Sequence, residues 1–423
     1  MSTSLDRHLL PDTSSVSSGG RLAVGGVDVI ELAEREGTPV FVYDEAHLRA
    51  RCREAVRAWG DGVAYAGKAF LCKAMAALAH EEGMWLDVAT GGELHVALAA
   101  GVPAERLILH GNNKSEDELS HAVEVGVGRI VVDSFDEIDR LDRIGGGRRP
   151  AVLARITPGV EAHTHEYVRT GQDDSKFGFG LSSGAASEAV GRLRASRSVE
   201  LVGIHAHIGS QVFVVDSFVK AIEVLAGFFE PLGLPELCVG GGLGVPYVHG
   251  ETAPTITEWA TAVRAACRRV GIPSSTRITA EPGRAVVAGA AVTVYRVGTV
   301  KPLPGLRTYV SVDGGMSDNP RPVLYGSGYE TFLPRATFAE RPRVVTVVGK
   351  HCESGDVIVR AARVPDDLAV GDLLATPVTG AYGHSMASNY NKVPRPPVVF
   401  VADGRARVVV RRETCADLTR LDA

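Results

Sequence analysis

The chain lacks any cysteine pair spaced for zinc or for a redox C-x-x-C motif; its six cysteines, at positions 52, 72, 238, 267, 352 and 415, are scattered. That pattern argues for a reducing cytoplasm and against a structural metal. No apolar run approaches the roughly 20 residues a membrane span needs. The first 20 residues are rich in Ser, Thr, Pro and Gly and lack an apolar signal core, so they read as a flexible tail. Lys and Arg form no block or stripe, and with 22% charged residues and a net charge of −5 nothing favours nucleic acid as a partner.

What the 423 residues do contain is length for two or three domains and a long alternation of short apolar runs with helical stretches. Strand-like runs fall near 62–67, 85–89, 106–110, 129–133, 151–156, 201–207, 236–240 and 276–281. Helical stretches lie between them, at Gly92–Ala100, Ser115–Val125, Ser134–Ile144 and Ser217–Leu232. In the last, Phe218, Ile222, Leu225 and Phe229 recur at helical spacing. Ser115 with Glu118 and Ser134 with Glu137 fit the capping box. The series predicts a (β/α)8 barrel of the TIM type over residues 47–285, with a doubly wound sheet as runner-up because strand order is not written in a sequence. After Val286, Pro, Gly and short Val-rich runs take over, as in Thr293–Val297, Thr308–Val312, Arg343–Val348, Val357–Val359, Val398–Val401 and Arg407–Val410. Residues 286–423 therefore read as an all-β domain, a sandwich or small barrel. The strand-like Pro39–Tyr43 precedes the barrel and is expected to add an edge to that domain, which then takes in residues 21–46 as well.

Lys68 ends the first strand-like run, and Glu281 ends the eighth, followed by Pro282-Gly283-Arg284. In a closed barrel both stand at the C-terminal mouth, where barrel enzymes place their chemistry. A lysine amine facing a carboxylate there fits a Schiff-base cofactor with an acidic partner for its ring nitrogen; a buried Lys–Glu pair is the plain alternative. Gly240-Gly241-Gly242-Leu243-Gly244 follows the seventh run and can admit a phosphate to backbone N–H groups, with Arg284 as a charged fork, or be only a tight turn. The G-x-G-x-x-G spacing of a dinucleotide site is not met. His205 and His207 close the sixth run on one face, as core histidines or as a platform for an aromatic cofactor. Three clusters mark the β domain: Asn319–Gly326, His351–Asp356 and Gly380–Ser385. Arg and Tyr at such spacing suit a substrate carboxylate; surface turns are the other reading.

Taken together these stretches resemble the pyridoxal-phosphate decarboxylases of the alanine-racemase barrel type, and among them the diaminopimelate decarboxylases of the actinobacterial branch. The likeness runs from Gly20 onward. It rests on GTPVFVYDE (37–45), AYAGKAFLCKA (64–74), DVATGGEL (87–94), HGNNKS (110–115), GVEAHTHE (159–166), KFGFG (176–180), HIGSQ (207–211), GGGLG (240–244), EPGR (281–284), VDGGMSDNPRP (312–322), GKHCESGD (349–356) and GAYGHSMASNYN (380–391). The resemblance implies pyridoxal 5'-phosphate on Lys68, with His207 stacked on the ring and Glu281 at its nitrogen. It implies a phosphate held by Ser210, the loop with Gly240, Gly241, Gly242 and Gly244, and Gly283 with Arg284. Arg284, Arg321, Tyr325, Glu353 and Tyr382 would bind the substrate, and Tyr382 would also touch the cofactor. Cys352 and Glu353 would reach the other protomer's site, which implies a homodimer, and Cys352 joins Lys68, His207 and Glu281 as a catalytic residue. Pro320 departs from the larger apolar residue common in the family and bears on where Arg321 sits. The implied reaction is decarboxylation of meso-2,6-diaminopimelate to L-lysine. The rivals are a sibling acting on ornithine, arginine or a carrier-bound amino acid, and a non-enzymatic pyridoxal-phosphate protein.

Overall fold

The computed structural model describes residues 4–145, 148–160 and 174–423. Residues 161–166 of the GVEAHTHE stretch lie outside this set. The chain divides into two compact units: Arg51–Val245 with Ala253–Ala285, and Met1–Ala50 with Pro246–Thr252 and Val286–Ala423.

The first unit carries eight parallel strands hydrogen-bonded in sequence order: Ala64–Ala66, Trp85–Val88, Leu107–Leu109, Arg129–Val132, Ala151–Thr157, Glu200–His205, Glu236–Cys238 and Arg277–Thr279. The Ala64 N–H donates to the Ala280 carbonyl at 2.9 Å and the Ala66 N–H to that of Pro282 at 3.2 Å, so the eighth strand closes on the first. Unbroken order plus closure selects the barrel over the doubly wound sheet, whose order reverses at a switch point. Inside, Ala64, Trp85, Ile108, Val131, Leu153 and Cys238 pack into one cluster with Val202 against it.

Strand alternation then dictates what lies above that cluster. Two residues further along each strand, on the same face and nearer the C-terminal rim, stand Asp87, His110, Asp133 and Arg155. The sixth strand would fall out of phase, but an irregularity between Leu201 and Gly203 inserts Val202 and sets His205 opposite Arg155.

The helices begin where the caps predict, with one correction. Ser115 and Glu118 form a reciprocal capping box. Ser134 caps its helix alone, because Glu137 turns inward: its Oε2 accepts the Asp133 N–H at 3.0 Å and its Oε1 takes the Lys114 ammonium at 2.7 Å. That ammonium also donates to the carbonyls of Gly111 and Val131, so a fully buried ion pair ties the third strand's loop to the fourth strand.

The second unit is built on the long strand Ala291–Leu303, which pairs with Arg307–Val312, Val40–Asp44 and Leu373–Pro377. Its sheet runs Val357–Val364, Arg343–Val348, Arg307–Val312, Ala291–Leu303, Val40–Asp44, Val398–Ala402, Arg405–Val410. Val40–Asp44 was expected at an edge; it lies in the interior of the sheet, between Ala291–Leu303 and Val398–Ala402, as its burial at every position requires. The first 20 residues were expected to form a flexible tail. From Ser4 they are folded, since Leu5, Leu9 and Leu10 are buried and the Asp44 carboxylate accepts from the Thr13 backbone and hydroxyl.

Removing one partner of the Lys114–Glu137 pair leaves an uncompensated buried charge. Lys114→Ala is therefore expected to destabilise the barrel unit by about 3–5 kcal/mol in chemical denaturation, and the double change Lys114→Met with Glu137→Gln to recover most of that loss.

Candidate active site

The C-terminal rim of the barrel gathers the residues that the sequence placed there, and several that it did not. Lys68 follows the first strand in the short 3₁₀ turn Gly67–Ala69, with its side chain exposed at the mouth. Glu281 stands two residues beyond the eighth strand and is 4% exposed. Its two oxygens are held separately: His110 Nε2 lies 2.8 Å from Oε1, and His205 Nε2 lies 2.9 Å from Oε2. Asp87 Oδ1 lies 3.8 Å from the same His110 nitrogen.

Burial works against the charge on Glu281, but His110 and His205 outweigh it and hold its carboxyl well below the ordinary range. Burial also opposes the charge on His110, where Asp87 and Glu281 prevail and raise its affinity for a proton. His205 goes the other way, to about 4, because burial dominates. Asp87 is pushed up to about 6 by burial, with Glu281 adding to the shift and His110 and Lys68 opposing it. The donor types of His110, His205 and Glu281 are those of a metal site, and their ligand atoms lie within 4.8 Å of one another. Here they are joined to each other by hydrogen bonds.

His207 is the second histidine of the sixth run and takes a different task from His205. Its Nδ1 accepts the Gly241 N–H at 3.2 Å, and burial together with the Lys68 charge keeps it neutral, well below its ordinary value. The glycine loop is packed against this ring. A Cβ on Gly240 would stand 2.9 Å from His207 Nδ1, on Gly241 2.2 Å from the Glu281 carbonyl oxygen, and on Gly242 2.0 Å from that of Gly209. Gly240 and Gly242 also take positive φ of 68° and 108°. The Gln211 side-chain amide clamps Val245 from both sides, donating to its carbonyl at 2.9 Å and accepting its N–H at 3.3 Å. Ser210 and Arg284 are half-buried, and Gly283 is buried against Ala66.

Arg155 pairs with Asp133 at 3.2 Å inside the barrel and lies 4.3 Å over the Phe177 ring. Asp133 also accepts the Gly178 N–H at 2.6 Å, which anchors the KFGFG stretch. Asp87, His110, Asp133 and Arg155 were not picked from the sequence as site residues. The signal was present: each is the polar residue two places after a core residue at the end of a barrel strand.

In the other unit, Arg321 is 4% exposed on the short helix Arg321–Tyr325 and donates from Nη1 to the Tyr329 hydroxyl at 2.7 Å. Its guanidinium carbon stands 4.3 Å over the Tyr247 ring. Tyr325 ends that helix half-buried. Tyr382 holds a left-handed backbone (φ 58°), uncommon for a residue with a side chain and frequent at functional sites. Cys352 and Glu353 are exposed in the turn after Arg343–Val348, where the Cys352 N–H donates to Asn391.

A family profile described as "Pyridoxal-dependent decarboxylase, pyridoxal binding domain" matches residues 45–288. Diaminopimelate decarboxylase of Mycobacterium tuberculosis is 48% identical over 98% of both chains. The chain belongs to the diaminopimelate decarboxylase family. The enzyme of that name from Actinosynnema pretiosum is 50% identical over 95% of this chain and 92% of its own. A crystal structure of diaminopimelate decarboxylase from M. jannaschii in complex with L-lysine superposes with a TM-score of 0.90 at 32% identity, covering 97% of this chain and 98% of the other.

As a member of this family the chain is a decarboxylase that uses pyridoxal phosphate. The barrel rim suits that group. It offers an exposed lysine amine, an ionised buried carboxylate and a flat neutral imidazole, beside a loop whose glycines leave no room for side chains. Gly242→Ala forces that loop off Gly209, so apoenzyme affinity for pyridoxal phosphate is expected to fall about tenfold or more in a fluorescence titration. Gly227→Ala is the control, because an added Cβ there meets nothing within 4 Å.

Proposed function

We propose that this enzyme decarboxylates meso-2,6-diaminopimelate at its D-centre, giving carbon dioxide and L-lysine as the last step of lysine biosynthesis. The observation that carries the reading is Arg321. It is a buried guanidinium, hydrogen-bonded to a tyrosine, and among the described residues it makes no ion pair with a carboxylate. Such a charge is costly unless a partner arrives. The distal amino-acid head of diaminopimelate brings a carboxylate; ornithine and arginine bring none. The names of the relatives and the lysine held by the M. jannaschii enzyme favour the same substrate.

Bound pyridoxal phosphate supplies an electron sink for the pair left at Cα when the carboxylate departs. We assign the chain's own residues as follows. Lys68 carries the cofactor on Nζ, and His207 offers its ring face, kept neutral by burial and by Lys68. Glu281 holds a proton at the ring nitrogen by stabilising the charged form. Ser210, the loop with Gly240, Gly241, Gly242 and Gly244, and Gly283 with Arg284 surround the phosphate, the glycines by leaving room for it and Arg284 by its guanidinium charge. Arg321 and Tyr325 take the substrate's distal carboxylate, with Arg284 and Tyr382 beside it, and Glu353 takes the distal ammonium. Holding the far head turns the scissile bond to the geometry in which its electrons can be withdrawn.

Cys352 and Glu353 are exposed in the β unit, and we assign them to the partner protomer's site, so that the enzyme acts as a homodimer. We place it in the cytoplasm, which suits a chain with scattered cysteines and two of them, Cys352 and Cys415, exposed.

Product analysis against diaminopimelate, ornithine, arginine and lysine tests the substrate. L-Lysine should form from the meso isomer, and Arg321→Met should lower kcat/KM for it by about a hundredfold or more. Turnover of ornithine at a comparable kcat/KM would sink the reading.

Subunit exchange tests the shared site. Inactive Lys68→Ala and Glu353→Ala chains, mixed in equal amounts, should recover about one quarter of wild-type activity, since each heterodimer holds one intact site. No recovery despite demonstrated exchange would place both residues in one protomer's site or make Glu353 dispensable.

A further inference from the structure

The assignment of Glu281 to the ring nitrogen leaves a question of proton ownership. A carboxylate and a pyridine nitrogen that share one proton compete for it, and decarboxylation needs it on the ring. An isolated carboxylate buried in a barrel is poorly suited to this, because burial alone raises its proton affinity. Something must lower it again.

The geometry supplies two donors. His205 has no partner on Nδ1, and that atom is buried. A proton there would be an unsatisfied N–H, so the tautomer carries hydrogen on Nε2, 2.9 Å from Glu281 Oε2. His110 Nε2 faces two acids, Glu281 Oε1 at 2.8 Å and Asp87 Oδ1 at 3.8 Å, and therefore also carries hydrogen. The two rings meet edge to face, with centroids 5.0 Å apart and planes at 70°, so each limits the other's rotation. Of the charged groups felt by His110, Asp87 and Glu281 favour its cationic form and Arg155 opposes it. His205 senses Glu281, His110 and Arg155. The outcome is one buried carboxylate with an Nε2 donor on each oxygen, and His110 is the ring that its acidic neighbours draw towards the protonated form.

We propose that His110 and His205 are positioning residues for decarboxylation: each donates Nε2–H to one oxygen of Glu281, and together they keep that carboxylate ionised and oriented so that the shared proton resides on the cofactor's ring nitrogen. Asp87 completes the arrangement from behind, as the counter-charge that keeps His110 in place. The inference rests on the reading of Glu281 as the ring-nitrogen partner. Carboxylate oxygens have lone pairs to spare, so two imidazole donors still leave an acceptor for the ring N–H. A donor hydrogen bond to the ionised carboxylate favours the ionised form, whereas an unsupported buried carboxylate would draw the proton to itself.

The test has an arm that involves no turnover. In apoenzyme labelled with ¹⁵N-histidine, His110 and His205 should both carry hydrogen on Nε2, His110 should take up its second proton at a higher pH than His205, and Glu281→Gln should lower that pH. A wild-type apoenzyme in which His110 or His205 carries no hydrogen on Nε2 would overturn the proposal. In holoenzyme reconstituted with ring-¹⁵N pyridoxal phosphate, the ring nitrogen should show the protonated shift. His110→Phe should move it towards the unprotonated value and lower kcat by about a hundredfold with little change in KM, the pattern of a lost transition-state contribution. His110→Gln keeps a neutral donor and should restore part of both; it also serves if the Phe variant does not fold. An unchanged ring-nitrogen shift in both His110 variants, with Glu281→Gln altering it, would overturn the proposal while sparing the assignment of Glu281. If Glu281→Gln itself leaves the shift unchanged, the assignment of Glu281 falls first, and the proposal with it.

Discussion

A single carboxylate, Glu281, is kept towards its ionised form inside the protein interior, and several polar residues of the barrel's upper layer gather around it. Its environment alone would neutralise it. Two histidines from different parts of the barrel hold one oxygen each, and Asp87 draws one of them, His110, towards its protonated form. Arg155 adds positive charge to the same interior, and its own cost is met by Asp133. A buried polar network is tolerable when its members find partners, and here the second to sixth strands each contribute one member around Glu281.

That gathering follows from strand geometry. A closed barrel turns one face of every strand inward, and residues two apart share that face. The lower cluster is apolar and supplies packing; the next step towards the C-terminal rim is polar and supplies chemistry. The irregularity at Val202 keeps the sixth strand in step, without which Ile204 instead of His205 would point at Glu281. The glycine loop works under the complementary constraint. Its backbone runs so close to His207 and Gly209 that a methyl group would collide, so only glycine fits at these positions.

The β unit is organised by different means. It buries Arg321 among Tyr329 and Tyr247, which satisfy the guanidinium's faces and one donor without neutralising it. Tyrosines can surround a cation with apolar area and still leave its forked donors for a carboxylate. The unit is assembled from distant pieces of chain, including Val40–Asp44 and the short Pro246–Thr252 segment that carries Tyr247. The inward turn of Glu137 onto Lys114 shows the same economy, as a residue placed for a helix cap serves the interior instead.

The period and number of apolar runs were enough to predict eight βα units and a change to β structure after Val286, because those signals are local. The ordered motifs were enough to suggest the family, and Lys68, Glu281, His207 and the glycines were legible because a lysine, an acid and consecutive glycines are conspicuous at strand ends. Strand order was not legible, nor was the interior place of Val40–Asp44, because hydrogen-bond partners far apart in sequence leave no local trace. His110, Asp87, Asp133 and Arg155 were passed over for the same reason: each is an ordinary polar residue until closure of the barrel turns it inward beside the others. The sequence by itself determined which side chains stand at strand ends. Only the tertiary structure decided which of them meet around Glu281, since that depends on ring closure and on one inserted residue in the sixth strand.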